Sequence, residues 1–253
     1  MKKVLLLGAG RISGPFIDYL DRKCDCKVIV ADLSDENLAF AKKFNVCSEA
    51  VKVNAGTEAS TLIEKYKADI VVNFLPPEFM PKVSKICVDK KVHMVHPAYL
   101  DEETKIMSDK IKEEGLIFVV ELGLDPGIDH MSAARTIDHI RKNNGKVESF
   151  RSLCGALPAP EANTNPWGYK LSWSPSSLIG ASKRTAKVLL DDKEILWPDG
   201  ETYKNVFLFE VPALGVFEAY ANADSTVYKD GYAIPEAKTI YRGTLRYPGW
   251  CET

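Results

Sequence analysis

Four groups of residues in this chain have the types and spacing to do chemistry. Gly123 to His130, GLDPGIDH, places Asp125 before Pro126 directly after an apolar run. An aspartate there is either a helix N-cap with proline at the first helical position or an acid-base carboxylate. Gly8-Ala9-Gly10, followed by Arg11 and Ile12, is a small-residue loop that lets backbone approach a phosphate. Tyr99 and Cys154 each end an apolar run and offer a hydroxyl and a thiol. A cysteine so placed is either an inert, packed thiol or a proton donor. Arg242 and Arg246 flank Gly243-Thr244-Leu245. Strand alternation puts both arginines and Thr244 on one face, which suits bidentate recognition of carboxylates, with a solvated face as the plainer alternative. His93 and His96 fall on opposite faces of a strand, and Cys24 and Cys26 lack a second ligand pair, so no metal site is expected. His130, one turn after Asp125, is expected to be structural.

The elements that must position these groups follow from the apolar pattern. KVLLLGAG, KVIVAD, VKVNA, ADIVVNFLPP, VHMVHP and LIFVVELG read as six buried strands. Between them, helical periodicity covers residues 14–23, 34–44, 57–66 and 102–114. Such alternation predicts an α/β fold, a doubly wound parallel sheet of the Rossmann type, over residues 1–124. A helix over 128–142 and longer β-like runs (VESFRSLC, NVFLFEV, VFEAYANA, TIYRGTLRY) predict a second α/β, substrate-binding domain over 125–253.

In that frame Gly8 and Gly10 sit between a strand and a helix, the context a dinucleotide pyrophosphate needs, and Ser13 stands as a small residue in place of the third glycine. Asp32 closes the second strand, about 20 residues on, where it can accept both ribose hydroxyls and repel a 2′-phosphate. NAD is therefore favoured, with NADP as the alternative because Arg11 lies beside the same region. Leu75 and Pro76, in the Asn73 to Pro77 stretch that ends the fourth strand, are expected near the nicotinamide side.

Composition bounds the partners. Hydrophobic residues are 45% and charged residues 27%, a globular balance with apolar surface for real cores. The formal net charge of -2 gives no footprint for nucleic acid or an anionic membrane, so a small molecule is the expected partner. The opening MKKVLLLGAGR imitates a signal peptide, but its apolar run is too short, and the six cysteines have no disulfide spacing. A cytoplasmic, reduced setting is expected.

GLDPGIDHMSAARTID (123–138), CGALPAPEANTNPWGYKLSWSPSS (154–177) and ADSTVYKDGYAIPEAKTIYRGTLRYPGW (223–250) resemble the saccharopine reductase family, the glutamate-forming saccharopine dehydrogenases. The resemblance runs through essentially the whole chain. It implies reduction, with NADPH or NADH, of the imine between 2-aminoadipate semialdehyde and glutamate to give saccharopine in lysine metabolism, and a homodimer. By the same resemblance Asp125, Cys154 and Tyr99 are acid-base candidates, and Ala98, Tyr99, Asp125, Thr244 and Arg246 bind substrate. Three departures stand out. Ala98 replaces a family serine, and Ala223 replaces an arginine that holds a substrate carboxylate, a loss of about 1.5–3 kcal/mol or about tenfold or more in binding. Family members also continue well past RYPGW, so the second domain is expected to be incomplete. Two other readings remain: a related imine reductase such as a carboxynorspermidine-forming enzyme, and a dinucleotide sensor without turnover.

Overall fold

The computed structural model of the chain describes residues 1–173 and 175–252. Ser174, inside the second of the matching blocks, and Thr253 lie outside the described residues. The chain divides into two compact units, Met1–Ile128 and Asp129–Thr253, and Asp125 belongs to the first.

The first unit runs β1 (Lys2–Leu7), α1 (Ser13–Lys23), β2 (Cys26–Asp32), α2 (Asp35–Ala41), β3 (Cys47–Lys52), α3 (Ala55–Tyr66), β4 (Ile70–Asn73), α4 (Met80–Asp89), β5 (His93–Val95), α5 (Glu102–Ile106), α6 (Ser108–Glu113) and β6 (Phe118–Val119). Its sheet has the order β3-β2-β1-β4-β5-β6, all parallel. Val4 to Leu7 of the central strand are buried because both faces are covered. Leu5 and Leu7 pack with α3 and α4, Val4 and Leu6 with α1 and α2. Each such side chain contributes about 1.5–3 kcal/mol. Side-chain caps set three of the helix starts: Ser34 accepts from Asn37 N–H (3.3 Å), Asn54 from Gly56 N–H (3.2 Å) and Asp101 from Thr104 N–H (2.8 Å).

Two expectations are corrected here. The helix expected over 102–114 breaks at Met107, whose N–H bonds back to Thr104 O (3.1 Å) in a tightened turn. Buried Thr104 anchors that turn by donating to Ser84 on α4 (3.0 Å). The sixth strand is two residues long. Beyond it Glu121 takes a left-handed φ of 56°, which ends the pairing.

The second unit runs α7 (Ile128–Lys142), β7 (Ser149–Cys154), α8 (Pro175–Gly180), β8 (Ala186–Leu190), β9 (Lys193–Trp197), β10 (Phe207–Val211), β11 (Gly215–Ala221), α9 (Tyr228–Gly231) and β12 (Thr239–Arg246). Its mixed sheet has the order β10-β11-β12-β8-β9, with β7 parallel to β12. Ile240 of β12 lies under α7 with Ala133 and Ile137, while Tyr241 faces the other side with Val188 and Ala221. The β8–β9 hairpin has no counterpart in the sequence expectations. Its turn residues, Asp191 and Asp192, take φ of 48° and 64°.

Candidate functional site

At the carboxyl edge of the parallel sheet, strand order reverses between β1 and β4, the place where such folds bind ligands. Gly8 has φ +88°, and a Cβ there would sit 3.1 Å from the Phe74 carbonyl, so only glycine lets the loop pass β4 this closely. At Gly10 an added Cβ meets nothing within 4 Å. This open space lies at the N-terminus of α1, where a pyrophosphate fits. Ser13 is 1% exposed, and its hydroxyl donates to Gly10 O (2.8 Å), so it closes the loop instead of merely leaving room. Arg11 and Ile12 are exposed on the same loop.

Asp32 is bound into the fold more than expected. One of its oxygens accepts from Ala9 N–H (2.6 Å), and the other from Ser34 N–H (2.7 Å) and Asn37 Nδ2 (3.3 Å). It therefore ties the glycine loop to the start of α2. Leu75 and Pro76 follow Asn73, whose side-chain oxygen accepts from Leu75 N–H (3.1 Å).

Two strands along, the 96–100 loop meets the 119–125 segment. His96 Nδ1 accepts from Ala98 N–H (2.8 Å), Glu121 N–H donates to Ala98 O (3.0 Å), and Glu121 Oε1 accepts from Leu100 N–H (3.0 Å). Held this way, half-exposed Tyr99 donates its hydroxyl to Asp125 Oδ1 (2.7 Å). The structure thus brings together Ala98, Tyr99 and Asp125.

Asp125 is not a helix cap. The Asp125–Pro126 peptide is cis, and α7 starts only at Ile128, so Pro126 is not the first helical residue. Instead Gly123 N–H donates to Pro126 O (2.8 Å) and Ile128 N–H to Gly123 O (3.0 Å), closing a tight turn. Gly127 is required in it: φ is +147°, and a Cβ would lie 2.1 Å from Gly123 O.

Cys154, Thr244 and Arg246 lie in the second unit. Register pairs Cys154 with Thr244 and Thr244 with Tyr220, so the three share one face. Arg246 and Arg242 are on it too, as expected, but neither is solvated: both are 3% exposed. Arg242 forms a buried ion pair with Asp129 and bonds Tyr228 Oη, with its guanidinium stacked 4.5 Å from the Tyr228 ring. Arg246 sits among three rings, Trp250 (4.8 Å), Tyr169 (5.0 Å) and Tyr220 (5.6 Å). Its Nη1 donates to Leu245 O (2.9 Å), its Nε has no hydrogen-bond partner, and it forms no ion pair among the described residues. Glu218, opposite it in register, is held by Gly249 N–H (2.6 Å) and Cys251 N–H (3.1 Å). His130 Nδ1 lies 2.6 Å from Tyr232 Oη.

Comparison with known proteins decides the family. The model described as the saccharopine dehydrogenase C-terminal domain matches residues 123–253, and that described as the saccharopine dehydrogenase NADP binding domain matches 4–119. The chain belongs to the saccharopine dehydrogenase family. It is 37% identical to the Saccharomyces cerevisiae saccharopine dehydrogenase [NADP(+), L-glutamate-forming], a match covering 99% of this chain and 56% of the yeast protein. It is also 37% identical to the mitochondrial alpha-aminoadipic semialdehyde synthase of Rattus norvegicus, covering 98% of this chain and 27% of that one. The apo structure of the yeast saccharopine dehydrogenase superposes with a TM-score of 0.88 over 100% of this chain and 56% of that chain, at 37% identity. The chain thus spans about half the length of the saccharopine dehydrogenase relatives it matches. Among the described residues no helix is long and apolar enough to cross a membrane.

Sequence reasoning missed Glu121, read only as part of a strand, and His96, considered only as a metal ligand. For His96 the available signal was its position two residues before a loop amide, the same spacing as Asn73 and Leu75. Asp129 was also missed. An acidic residue in the first turn of α7 gave no hint of the arginine 113 positions on.

Proposed function

We propose that this chain interconverts saccharopine with L-glutamate and 2-aminoadipate 6-semialdehyde, using a nicotinamide dinucleotide. The observation that carries this reading is the Tyr99–Asp125 pair, on the same carboxyl edge as the glycine loop. In the oxidative direction the substrate's C–H bond breaks, its electron pair leaves as hydride, and the amine nitrogen lone pair forms C=N. The bound dinucleotide supplies the hydride acceptor. Water then adds to the imine carbon and the C–N bond breaks, steps that need one group to take and return protons. Asp125, with Tyr99 donating to it, is suited to that role, and Cys154 is the second candidate. Thr244 and Arg246 hold a substrate carboxylate: Arg246 is a buried cation with no ion pair of its own among the described residues, and its Nε has no hydrogen-bond partner.

For the cofactor we favour NADP over NAD. Both oxygens of Asp32, the carboxylate expected to take the ribose hydroxyls of NAD, already accept from Ala9, Ser34 and Asn37. The NADP binding domain match supports the same choice. Six free thiols are compatible with the cytoplasmic, reduced setting, and the native mass measured by light scattering tests the homodimer.

The deciding experiment is saccharopine oxidation with NADP and with NAD, following the reduced cofactor, on the 253-residue chain and on any longer gene product. Turnover, faster with NADP, is expected. Tight dinucleotide binding with no turnover in either form would instead favour the sensor reading.

A further inference from the structure

Strands β4 and β5 end in the same device. Register pairs Val72 with Val95, so Asn73 and His96 come next on neighbouring strands. Both are fully or almost fully buried, and each accepts with its side chain from the N–H two residues on, Asn73 from Leu75 and His96 from Ala98. The Ala98 bond is the only hydrogen bond of the His96 side chain among the described residues, because Nε2 is buried without a partner. Since Nδ1 accepts from a backbone N–H, the ring proton of the neutral imidazole is on Nε2.

We infer that His96 is a positioning residue for the acid-base pair: its Nδ1 fixes the Ala98 amide, and so sets the direction in which Tyr99 leaves the loop to meet Asp125. The backbone bond between Glu121 and Ala98 holds the carbonyl of the same residue, and Leu100 is tied to the Glu121 carboxylate. Tyr99 is therefore flanked by tethered residues on both sides. Removing the His96 acceptor releases one of the two backbone bonds that hold the residue immediately before it. This inference rests on the acid-base role proposed for Tyr99 and Asp125, but the contact with Ala98 can be tested without turnover.

Two variants separate a hydrogen-bonding role from simple space filling. His96→Asn keeps an acceptor at the position of Nδ1, as Asn73 does on the next strand, but loses volume. His96→Leu keeps the volume and loses the acceptor. Positioning predicts that His96→Leu exchanges its Ala98 amide at least tenfold faster than wild type, with the Met94 and Val95 amides unchanged. It also predicts a kcat for saccharopine oxidation at least tenfold lower, with dinucleotide affinity within twofold. His96→Asn is expected to keep Ala98 protection and stay within threefold in kcat. The reverse order, with His96→Leu equal to or better than His96→Asn in exchange and kcat, overturns the inference. If His96→Leu does not fold, His96→Asn decides alone: a retained Ala98 bond supports the inference and its loss overturns it. If the wild-type chain does not oxidise saccharopine, the proposed reaction fails on that control, and amide exchange still decides whether His96 holds the loop.

Discussion

The carboxyl edge of the parallel sheet and the polar face of β12 use similar side chains for opposite ends. At the edge, Tyr99 is 39% exposed and bonds Asp125 from one loop to another, while the strands beneath are buried mainly by apolar contacts. On β12, Arg242 and Arg246 are part of the strand itself and are 3% exposed, one paired with Asp129 and the other enclosed by rings. The edge separates chemistry from folding, because its loops sit on a scaffold that needs nothing from them. The β12 face does not. A charged side chain there is part of the core, and removing its partner leaves a charge in a place water does not reach.

The widest test of that contrast compares two aspartates four residues apart. Asp125→Ala should lower kcat for saccharopine by about 10²–10⁴-fold, the range for a lost acid-base group, with little change in the urea midpoint. Asp129→Ala should do the opposite. It leaves Arg242 buried without its carboxylate and should cost about 3–5 kcal/mol of stability in urea titrations. If Asp125→Ala unfolds the protein, or Asp129→Ala only slows it, the division between the two regions is wrong.

Arg246 sharpens the comparison because it belongs to the buried face yet has no ion pair among the described residues. Lysine keeps the charge but loses the planar fork and the stacking on Trp250, Tyr169 and Tyr220. Arg246→Lys should therefore raise KM for saccharopine about tenfold or more, the value of one charge-assisted bond, with a smaller change in kcat. An unchanged KM would make Arg246 purely structural.

Acid should reach the edge through His96. Burial holds this imidazole well below its ordinary value, at about 4, against a weaker opposing pull from Asp101. With the folded value depressed, stability is fully present above the unfolded value of about 6.5 and falls as pH drops towards 4. Protonation also puts a hydrogen on Nδ1, where Ala98 N–H donates. Glu121 and Asp125 belong to the same loop cluster, so the comparison must be made against His96→Asn. Melting curves should show wild type losing about 2 to 3 kcal/mol between pH 7.5 and pH 4.5, and His96→Asn losing less. Parallel curves would remove His96 from the account.

The same contrast explains what the sequence made legible. The parallel sheet was readable because its strands are short apolar runs buried on both faces, and Gly8 because glycine suits a left-handed loop that close to Phe74. The shared face of Arg242, Thr244 and Arg246 also followed from strand alternation. What local pattern could not give was long-range pairing. Nothing near Asp129 announces Arg242, and nothing near Arg246 announces that Trp250 and Tyr169 enclose it. The β8–β9 hairpin escaped because Asp191-Asp192 is a weaker turn signal than Asn-Gly. Asp125 carried two readings, cap and acid-base group, because Asp-Pro before a helix suits both, and the start of α7 at Ile128 removes Pro126 from the first helical position.

Ala223 offers the smallest effect and the cleanest separation of folding from binding. It follows β11 with φ +51°, a left-handed conformation that costs a residue with a Cβ about 1–2 kcal/mol, and its side chain is exposed. Its carbonyl accepts from Lys187 N–H (3.0 Å), so the backbone geometry is tied to β8 and persists whatever side chain is present. Glycine adopts this φ freely but loses more chain entropy on folding, which offsets part of the gain. Ala223→Gly should therefore stabilise the protein by up to about 1 kcal/mol without altering saccharopine KM. Ala223→Arg keeps the strained backbone and restores the guanidinium of the family motif. It should leave the melting temperature near wild type and lower KM for saccharopine. A lower KM in both variants would mean that backbone strain weakens binding, whereas a lower KM in neither would show that this turn lies away from the substrate.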